Sequence, residues 1–349
     1  MKISPRQQKI LFLFLQNKIL QSSDVFNFLE KEENISNITV KRELSELTEA
    51  GFLAMSGSGR STAYSITVQG RLFSDINAAR YCKEEPDKRF GQTQYNFDLF
   101  SSIPNEIITE KENITLNDAT KKYQERSNDL SSTIQKKELE RLIIELSWKS
   151  SRIEGNTYTL LDTEKLILEN KEAVGHDKHE AQMILNHKEA FTFVRENPTL
   201  YKTLTRTNME ELHKILVKNM SVGFGLRSKS VGVTGSLYRP LDNIHHIQEA
   251  TENLSAAVTH MNNPYAKSLI ALLGISYVQP FEDGNKRTAR LMANALLLAH
   301  SLAPLSYRSV DENEYREAMF VFYELNSLVP FKKIFITQYD FAARNYVVK

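Results

Sequence analysis

Gln279-Pro280-Phe281-Glu282-Asp283-Gly284-Asn285-Lys286-Arg287-Thr288-Ala289-Arg290 is the most informative stretch of the chain. Upstream of it an apolar helix (Leu269, Ile270, Leu272, Leu273, Ile275) has to stop before Pro280, because proline disfavours helical backbone in the residue preceding it. A second helix is expected from about Asn285 through Leu291, Met292, Ala295 and Leu296. Between the two, Gly284-Asn285 lets the backbone come close to a ligand at a helix N-terminus, where free N–H groups and the positive end of the dipole favour an anion. Arg287 and Arg290, three residues apart, share one face of that helix and can grip phosphate oxygens in bidentate fashion. Asp283 sits where it can hold Mg²⁺ bridging the same phosphates. The residues alone leave a second reading open: a capped helix–loop–helix corner, with Asp283 as the cap and the arginines solvated or paired with carboxylates.

Around this segment the pattern is mainly α-helical. Glycine (13) and proline (9) are sparse in 349 residues, and apolar residues recur at three- and four-residue spacing. The length suggests two domains or three small ones. Hydrophobic residues at 41% and charged residues at 25% give an ordinary globular balance and exclude wholesale disorder. A formal net charge of +1 excludes a polycation, so any nucleic-acid binding has to come from a local patch. The single cysteine, Cys82, excludes an intramolecular disulfide or a cysteine-based zinc site and fits a reducing compartment. The N-terminus lacks a signal peptide's apolar core, and the most apolar stretch, Leu291 to Leu305, is too short to span a bilayer and is interrupted by Asn294 and His300. A cytoplasmic protein without membrane attachment is the expectation.

The first seventy or so residues read as a separate unit. Ile10, Leu11, Leu13 and Phe14 mark a first helix, and Ser23-Asp24 can cap a second carrying Val25, Phe28 and Leu29. A third follows Ser36 with Val40, Leu44 and Leu47 and ends at Gly51. Phe52 to Met55 and Thr62 to Thr67 then form two short strands around a Ser56–Ser61 turn. The order helix, helix, helix, β-hairpin resembles a winged helix-turn-helix domain. Asn37, Thr39, Lys41 and Arg42 lie outside the apolar stripe of the third helix, and Arg60 sits at the hairpin tip, which is the distribution a DNA-reading helix and basic wing need. Glu43, Glu46 and Glu49 follow closely, and such domains also serve as protein-interaction or dimerisation modules. The organisation expected is a winged helix over 1–75, a linker over 76–100 containing the charged run Lys83–Arg89, and a third segment over 101–349. Within the last, Val231 to Ile244 reads as a β-hairpin or extended flap.

The segment at 279–290 resembles the motif of the Fic (filamentation induced by cAMP) family, H-P-F-x-(D/E)-G-N-x-R-x-x-R, at every defined position except the first. Gly225-Leu226-Arg227 and the flap occupy the place of that family's target-docking hairpin, which would put Thr234 and Gly235 against a target. Tyr315–Met319 and Pro330-Phe331 resemble its closing helices, so the resemblance covers roughly residues 100 to 349. It implies an all-α core that binds ATP with Mg²⁺ and transfers AMP to a protein hydroxyl. By position, Asp283 would hold Mg²⁺, Gly284 and Asn285 would surround the α-phosphate, and Arg287 and Arg290 would take the outer phosphates. Phe281 would anchor the core, and Lys286, where many relatives have glycine, adds a cation near the phosphates. Tyr315 and Tyr323 are weak candidates for an adenine pocket.

In that family the first motif residue is the histidine that deprotonates the attacking hydroxyl. Here it is Gln279, whose carboxamide has no useful basicity near neutral pH but can still donate and accept hydrogen bonds. Loop histidines His245 and His246 are remote substitutes, and His176 with His179 lacks a third ligand at metal-binding spacing. Ser150-Ser151-Arg152-Ile153-Glu154-Gly155, closing an apolar helix at about 140–156, resembles the family's inhibitory motif (S/T)-x-x-x-E-(G/N). The resemblance implies that Glu154 pairs with Arg290 and hinders the γ-phosphate. The expectation is therefore an ATP-binding protein of the AMP-transferase family, impaired by Gln279, braked by Glu154 and coupled to DNA. The alternatives are a transferase working on a Ser, Thr or Tyr hydroxyl by an altered mechanism, and a non-catalytic scaffold. The protein target stays unidentified, and a homodimer stays open.

Overall fold

The computed structural model describes residues 3–348. The helices, in chain order, are α1 (Pro5–Gln16), α2 (Ser22–Leu29), α3 (Asn37–Glu49), α4 (Val68–Leu72), α5 (Ala78–Tyr81), α6 (Glu110–Asp129), α7 (Ser132–Ile153) and α8 (Leu160–Glu169). They continue as α9 (Lys178–Glu196), α10 (Arg206–Leu216), α11 (Ile244–His260), α12 (Pro264–Val278), α13 (Asn285–Ala299), α14 (Glu312–Leu325) and α15 (Val329–Asn345). Strands β1 (Leu53–Ser56) and β2 (Ala63–Ile66) pair antiparallel with Leu53 opposite Ile66 and Ser56 opposite Ala63. The fold is mainly α-helical, as expected.

The chain divides into two compact units. One takes the residues up to Pro104 together with Val233–Arg239 and Arg316–Lys332; the other takes Asn105–Gly232, Pro240–Tyr315 and the residues from Lys333 on.

In the first unit α1 begins where Ser4 and Gln7 cap each other reciprocally and Pro5 fits the first turn. Its apolar side, Ile10, Leu11 and Phe14, packs with Val25 and Leu29 of α2 and with Val40, Leu44 and Leu47 of α3. Burial of side chains of this size contributes roughly 1.5–3 kcal/mol each before chain entropy is subtracted. Leu20 pairs with Tyr64, so the β1–β2 hairpin gains a one-residue third edge.

Residues 76–100, expected as a linker, pack within this unit. Ile76 and Tyr81 share a cluster with Leu15 of α1 and with Val321 and Leu325 of α14. The Glu324 carboxylate is fully buried and receives the Tyr81 hydroxyl at 2.7 Å, the Ser236 hydroxyl at 2.6 Å and the Leu237 N–H at 3.2 Å. It also faces the Arg89 guanidinium at 3.3 Å.

Of the two forms expected at Val231–Ile244, a β-hairpin or an extended flap, the hairpin is corrected: this segment holds no strand, and β1–β2 is the only sheet among the described residues. Its backbone groups find other partners. The Leu237 N–H goes to Glu324, and the Arg239 N–H goes to the Thr93 carbonyl at 2.9 Å. The run Val231–Pro240 reads alike whether the chain pairs with itself or is held by its neighbours.

The second unit is built on α12 and α13. Asn263 caps α12 and Pro264 occupies its first position, as a helix start prefers. From Tyr265 to Val278 nearly every side chain of α12 is buried, so this helix has no polar face and forms the centre of the bundle. The Ser268 hydroxyl donates to the Ala293 carbonyl of α13 at 3.0 Å. Asn294, the polar interruption noted in the sequence, holds both backbone groups of Leu305, at 2.7 and 3.0 Å. No helix of the described residues is long and apolar enough to cross a membrane.

Because Arg89 is itself buried, removing its carboxylate partner leaves an uncompensated charge inside the first unit. Glu324→Ala is expected to destabilise that unit by about 3–5 kcal/mol, read as a lower urea midpoint for its unfolding transition.

Candidate functional site

Gln279 closes α12 in the left-handed conformation (φ 51°) as its N–H reaches back to the Ile275 carbonyl. Its side-chain amide donates to the Ser276 carbonyl at 2.6 Å. Arg227 fixes this turn from outside: its backbone N–H donates to the Pro280 carbonyl at 3.0 Å and its Nε to the Gln279 carbonyl at 2.7 Å. Next, the Asn285 carboxamide closes the loop on itself, accepting from the Phe281 N–H and donating to the Phe281 carbonyl, both at 2.8 Å. What Asn285 has left for an anion is its backbone N–H, since its side chain is occupied.

α13 then starts from Gly284 (φ 77°), with no side-chain cap and no acidic residue in its first turn. Most other long helices here are capped by Ser, Thr, Asn or Asp. The uncapped end leaves first-turn amides and the positive end of the dipole without a side-chain anion, which is the local condition for binding one. Asp283, offered by the sequence as a cap, does something else. Its carboxylate meets the Arg287 guanidinium at 3.1 Å while 63% of the side chain stays exposed.

Arg287 and Arg290 point inward, with 2% and 0% exposure. Arg290 is held by α7 at three points. Nε donates to the Ser150 hydroxyl, Nη2 to the Ser150 carbonyl and Nη1 to the Glu154 carboxylate, each at 2.8 Å. The ring of Tyr315 lies under the guanidinium, 5.7 Å from its carbon to the ring centre. Burial pushes the Arg290 pKa down, but Glu154 and Tyr315 together more than offset it and the net direction is up. Arg287 goes the other way: burial dominates, Asp283 offsets only part, and the pKa is lowered. For Glu154, burial raises the pKa; Arg290 and then Lys286 oppose it, and the net direction is down, so the carboxyl is ionised at neutral pH.

Residues 203–297 match the family model described as Fic/DOC. The matched stretch runs from just before α10 to most of α13. Among curated proteins it is similar to the protein adenylyltransferase Fic of Nematostella vectensis, 30% identical over 49% of this chain and 41% of that one. It is similar also to that of Culex quinquefasciatus, 28% identical over 48% of this chain and 34% of that one. The chain therefore spans less than half the length of these relatives. Among solved structures, Fic-1 from C. elegans aligns over 68% of this chain and 71% of that one at 19% identity, with a TM-score of 0.55. A Fic family protein from Desulfovibrio desulfuricans aligns over 69% and 75% at 20% identity, with a TM-score of 0.56. At these identities the structural likeness concerns the fold.

Around the start of α13 the structure brings together Asp283, Gly284, Asn285, Lys286, Arg287 and Arg290 of the matched stretch with Ser150 and Glu154 from outside it. Thr234 and Gly235 belong to the other unit, where Gly235 (φ 82°) lies against Phe320 and its carbonyl accepts from Arg89. Tyr323 also belongs there, buried and stacked on Tyr238 at 5.8 Å. His245 and His246 are exposed in the first turn of α11. His176 faces Glu180 and Thr157, and no group of three metal-ligating side chains occurs among the described residues.

Two histidines of the second unit escaped the sequence reading. His213 stacks on Phe281, ring centres 3.9 Å apart, with Nε2 2.9 Å from the Asp283 carbonyl. His187 on α9 is fully buried, and neither ring nitrogen has a hydrogen-bond partner. Both sit within apolar stripes, Met209–Leu212–Leu216 and Ile184–Ala190–Phe191, and a polar residue inside such a stripe was the available signal.

Burial, followed by the charges of Arg290 and Arg287, holds the His187 pKa well below 6.5, and burial lowers that of His213 as well. The sign follows from linkage. Below about 6.5 the unfolded chain takes up protons that these folded imidazoles refuse, so acidification favours unfolding. Glu154, with its pKa below 4.5, adds a loss only under more acidic conditions. The urea midpoint of the Fic-containing unit is expected to fall between about pH 7.5 and about pH 5.5. His187→Gln should make that dependence shallower.

Proposed function

We propose that the chain binds ATP with Mg²⁺ at the start of α13, that Gln279 leaves AMP transfer to a protein hydroxyl slow, and that Glu154 holds the site in a hindered state. The observation that carries the nucleotide reading is the uncapped N-terminus of α13 beside two buried arginines, one of them compensated by a carboxylate and a serine brought from another helix. A polyphosphate supplies the same negative charge and acceptor oxygens to the same donors. The match to Fic relatives named as protein adenylyltransferases supports ATP as the nucleotide and a protein as the acceptor. The donor set fits Mg²⁺: it is commonly held by one or two carboxylates plus phosphate oxygens, and Asp283 offers a largely exposed carboxylate next to the uncapped amides. Bound there, the ion would neutralise phosphate charge.

In AMP transfer the acceptor hydroxyl attacks the α-phosphorus, pyrophosphate leaves, and the hydroxyl proton has to go to a base. Gln279 cannot take it. Its amide nitrogen is engaged with the Ser276 carbonyl, and a carboxamide is too weakly basic in any orientation. Losing a positioned base lowers the rate by on the order of 10²–10⁴. With radiolabelled ATP and a panel of candidate acceptor proteins, the unmutated chain is expected to label weakly. Glu154→Gly should raise occupancy, and Gln279→His on that background should raise labelling by on the order of 10²-fold or more. Strong labelling by the unmutated chain would instead favour a transferase with another proton acceptor. No ATP heat in calorimetry, even for Glu154→Gly, would leave a scaffold.

The N-terminal unit is proposed as a DNA-binding winged helix over residues 1–75. Support comes from α3, where Lys41 and Arg42 are exposed while Glu43 turns inward to Arg6 at 3.3 Å. That removes one acid from the solvent face of the helix's first two turns. Exposed Arg60 lies in the hairpin loop. The double variant Lys41→Ala/Arg42→Ala is expected to weaken binding to DNA from the region upstream of the protein's own gene, with a shallower salt dependence in a mobility-shift titration. Unchanged binding would point to a protein-interaction module.

A further inference from the structure

Lys286 stands at the second position of α13, close to the positive end of the dipole, where a cation is unfavourable. Glu154 stands at the C-terminal end of α7, where an anion is unfavourable. The two meet: Lys286 Nζ lies 3.4 Å from Glu154 Oε2, while Glu154 Oε1 takes Arg290 at 2.8 Å. Each oxygen of the carboxylate therefore faces a different cation of α13. The two cations are not equivalent. Arg290 is fully buried and keeps two bonds to Ser150 whatever Glu154 does. Lys286 is 35% exposed, and Glu154 is its one ion-pair partner among the described residues.

We propose that Lys286 is the positioning residue of the brake: it pins the outer oxygen of Glu154 so that the carboxylate stays across the anion site, and it lets go when a nucleotide's terminal phosphate arrives. This rests on the nucleotide reading above and gives the lysine a role distinct from that of a simple phosphate ligand. A cation beside a phosphate site strengthens anion binding; a cation that stabilises the competing carboxylate weakens it. In this chain the same ammonium group has both effects, and which one is seen depends on whether Glu154 is present. With Glu154 in place, losing Lys286 frees one carboxylate oxygen and ATP binds more tightly. Without Glu154, losing Lys286 only removes a phosphate partner and ATP binds no more tightly, or less so.

The test is a double-mutant cycle on the full chain, measuring the Kd for ATP–Mg²⁺ by calorimetry in the unmutated protein, Lys286→Ala, Glu154→Gly and the double variant. For a partly exposed ion pair, the expected gain on Lys286→Ala with Glu154 present is about two- to five-fold in affinity. On the Glu154→Gly background the same substitution should leave affinity unchanged or reduce it. Lys286→Arg, which preserves the charge, should behave like the unmutated chain in both backgrounds. Equal weakening in both backgrounds would make Lys286 only a phosphate ligand and overturn the inference; so would an absence of effect in both. If Glu154→Gly binds ATP but Lys286→Ala tightens binding equally on both backgrounds, or on neither, this inference alone falls. If neither Glu154→Gly nor the double variant binds ATP, the nucleotide reading falls and takes the inference with it. Urea midpoints for all variants separate loss of binding from loss of fold.

Discussion

A guanidinium cannot shed its proton in a protein, so a fully buried arginine keeps its charge and has to be surrounded by acceptors. Arg290 is in that position, and the arrangement around it follows from the requirement. Ser150 supplies a hydroxyl and a carbonyl, Glu154 supplies a carboxylate, and Tyr315 supplies a ring face. Three of these four contacts come from the last turn and end of one helix, α7. The charge of one residue thus ties the end of α7 to the start of α13, and that junction is where α13 begins without a side-chain cap.

The loop before α13 is shaped so that its own polar groups do not fill the site. Asn285 turns its amide back onto Phe281, Arg227 holds the carbonyls of Gln279 and Pro280, and the Asp283 carbonyl meets His213. Gly284 has to be left-handed for the chain to enter the helix there, and a Cβ would come within 3.1 Å of Val217. With these groups occupied elsewhere, the loop's side chains leave the first turn of α13 without a cap.

Much of this was legible in the sequence because it is local. Pro280, Gly284 and the three-residue spacing of Arg287 and Arg290 dictate a helix stop, a turn and a shared face within a dozen residues. The helices and hairpin of the N-terminal unit follow from apolar periodicity and from Ser36 and Gly51 at the helix ends. The pairing of Glu154 with Arg290 was reachable only through resemblance, since 136 residues separate them. What stayed hidden depends on distant partners. Glu324 gathers Tyr81, Arg89, Ser236 and Leu237, so a charged run that read as a linker is anchored at its last residue, and a segment that read as a hairpin or extended flap finds its hydrogen bonds with neighbours. Lys286 looked like one more cation for phosphate, and no spacing rule shows that it faces a carboxylate on another helix. Burial of His187 and His213 could be read only as a polar residue in an apolar stripe.

The left-handed backbone at Gln279 bears on how such a domain changes over time. A residue with a Cβ is strained there by roughly 1 kcal/mol whatever its side chain, so glutamine and histidine carry a similar backbone burden. Their codons differ only in the third base. One point mutation can therefore exchange a side chain that accepts a proton for one that does not, with little disturbance of the turn that Arg227 and Ile275 hold in place.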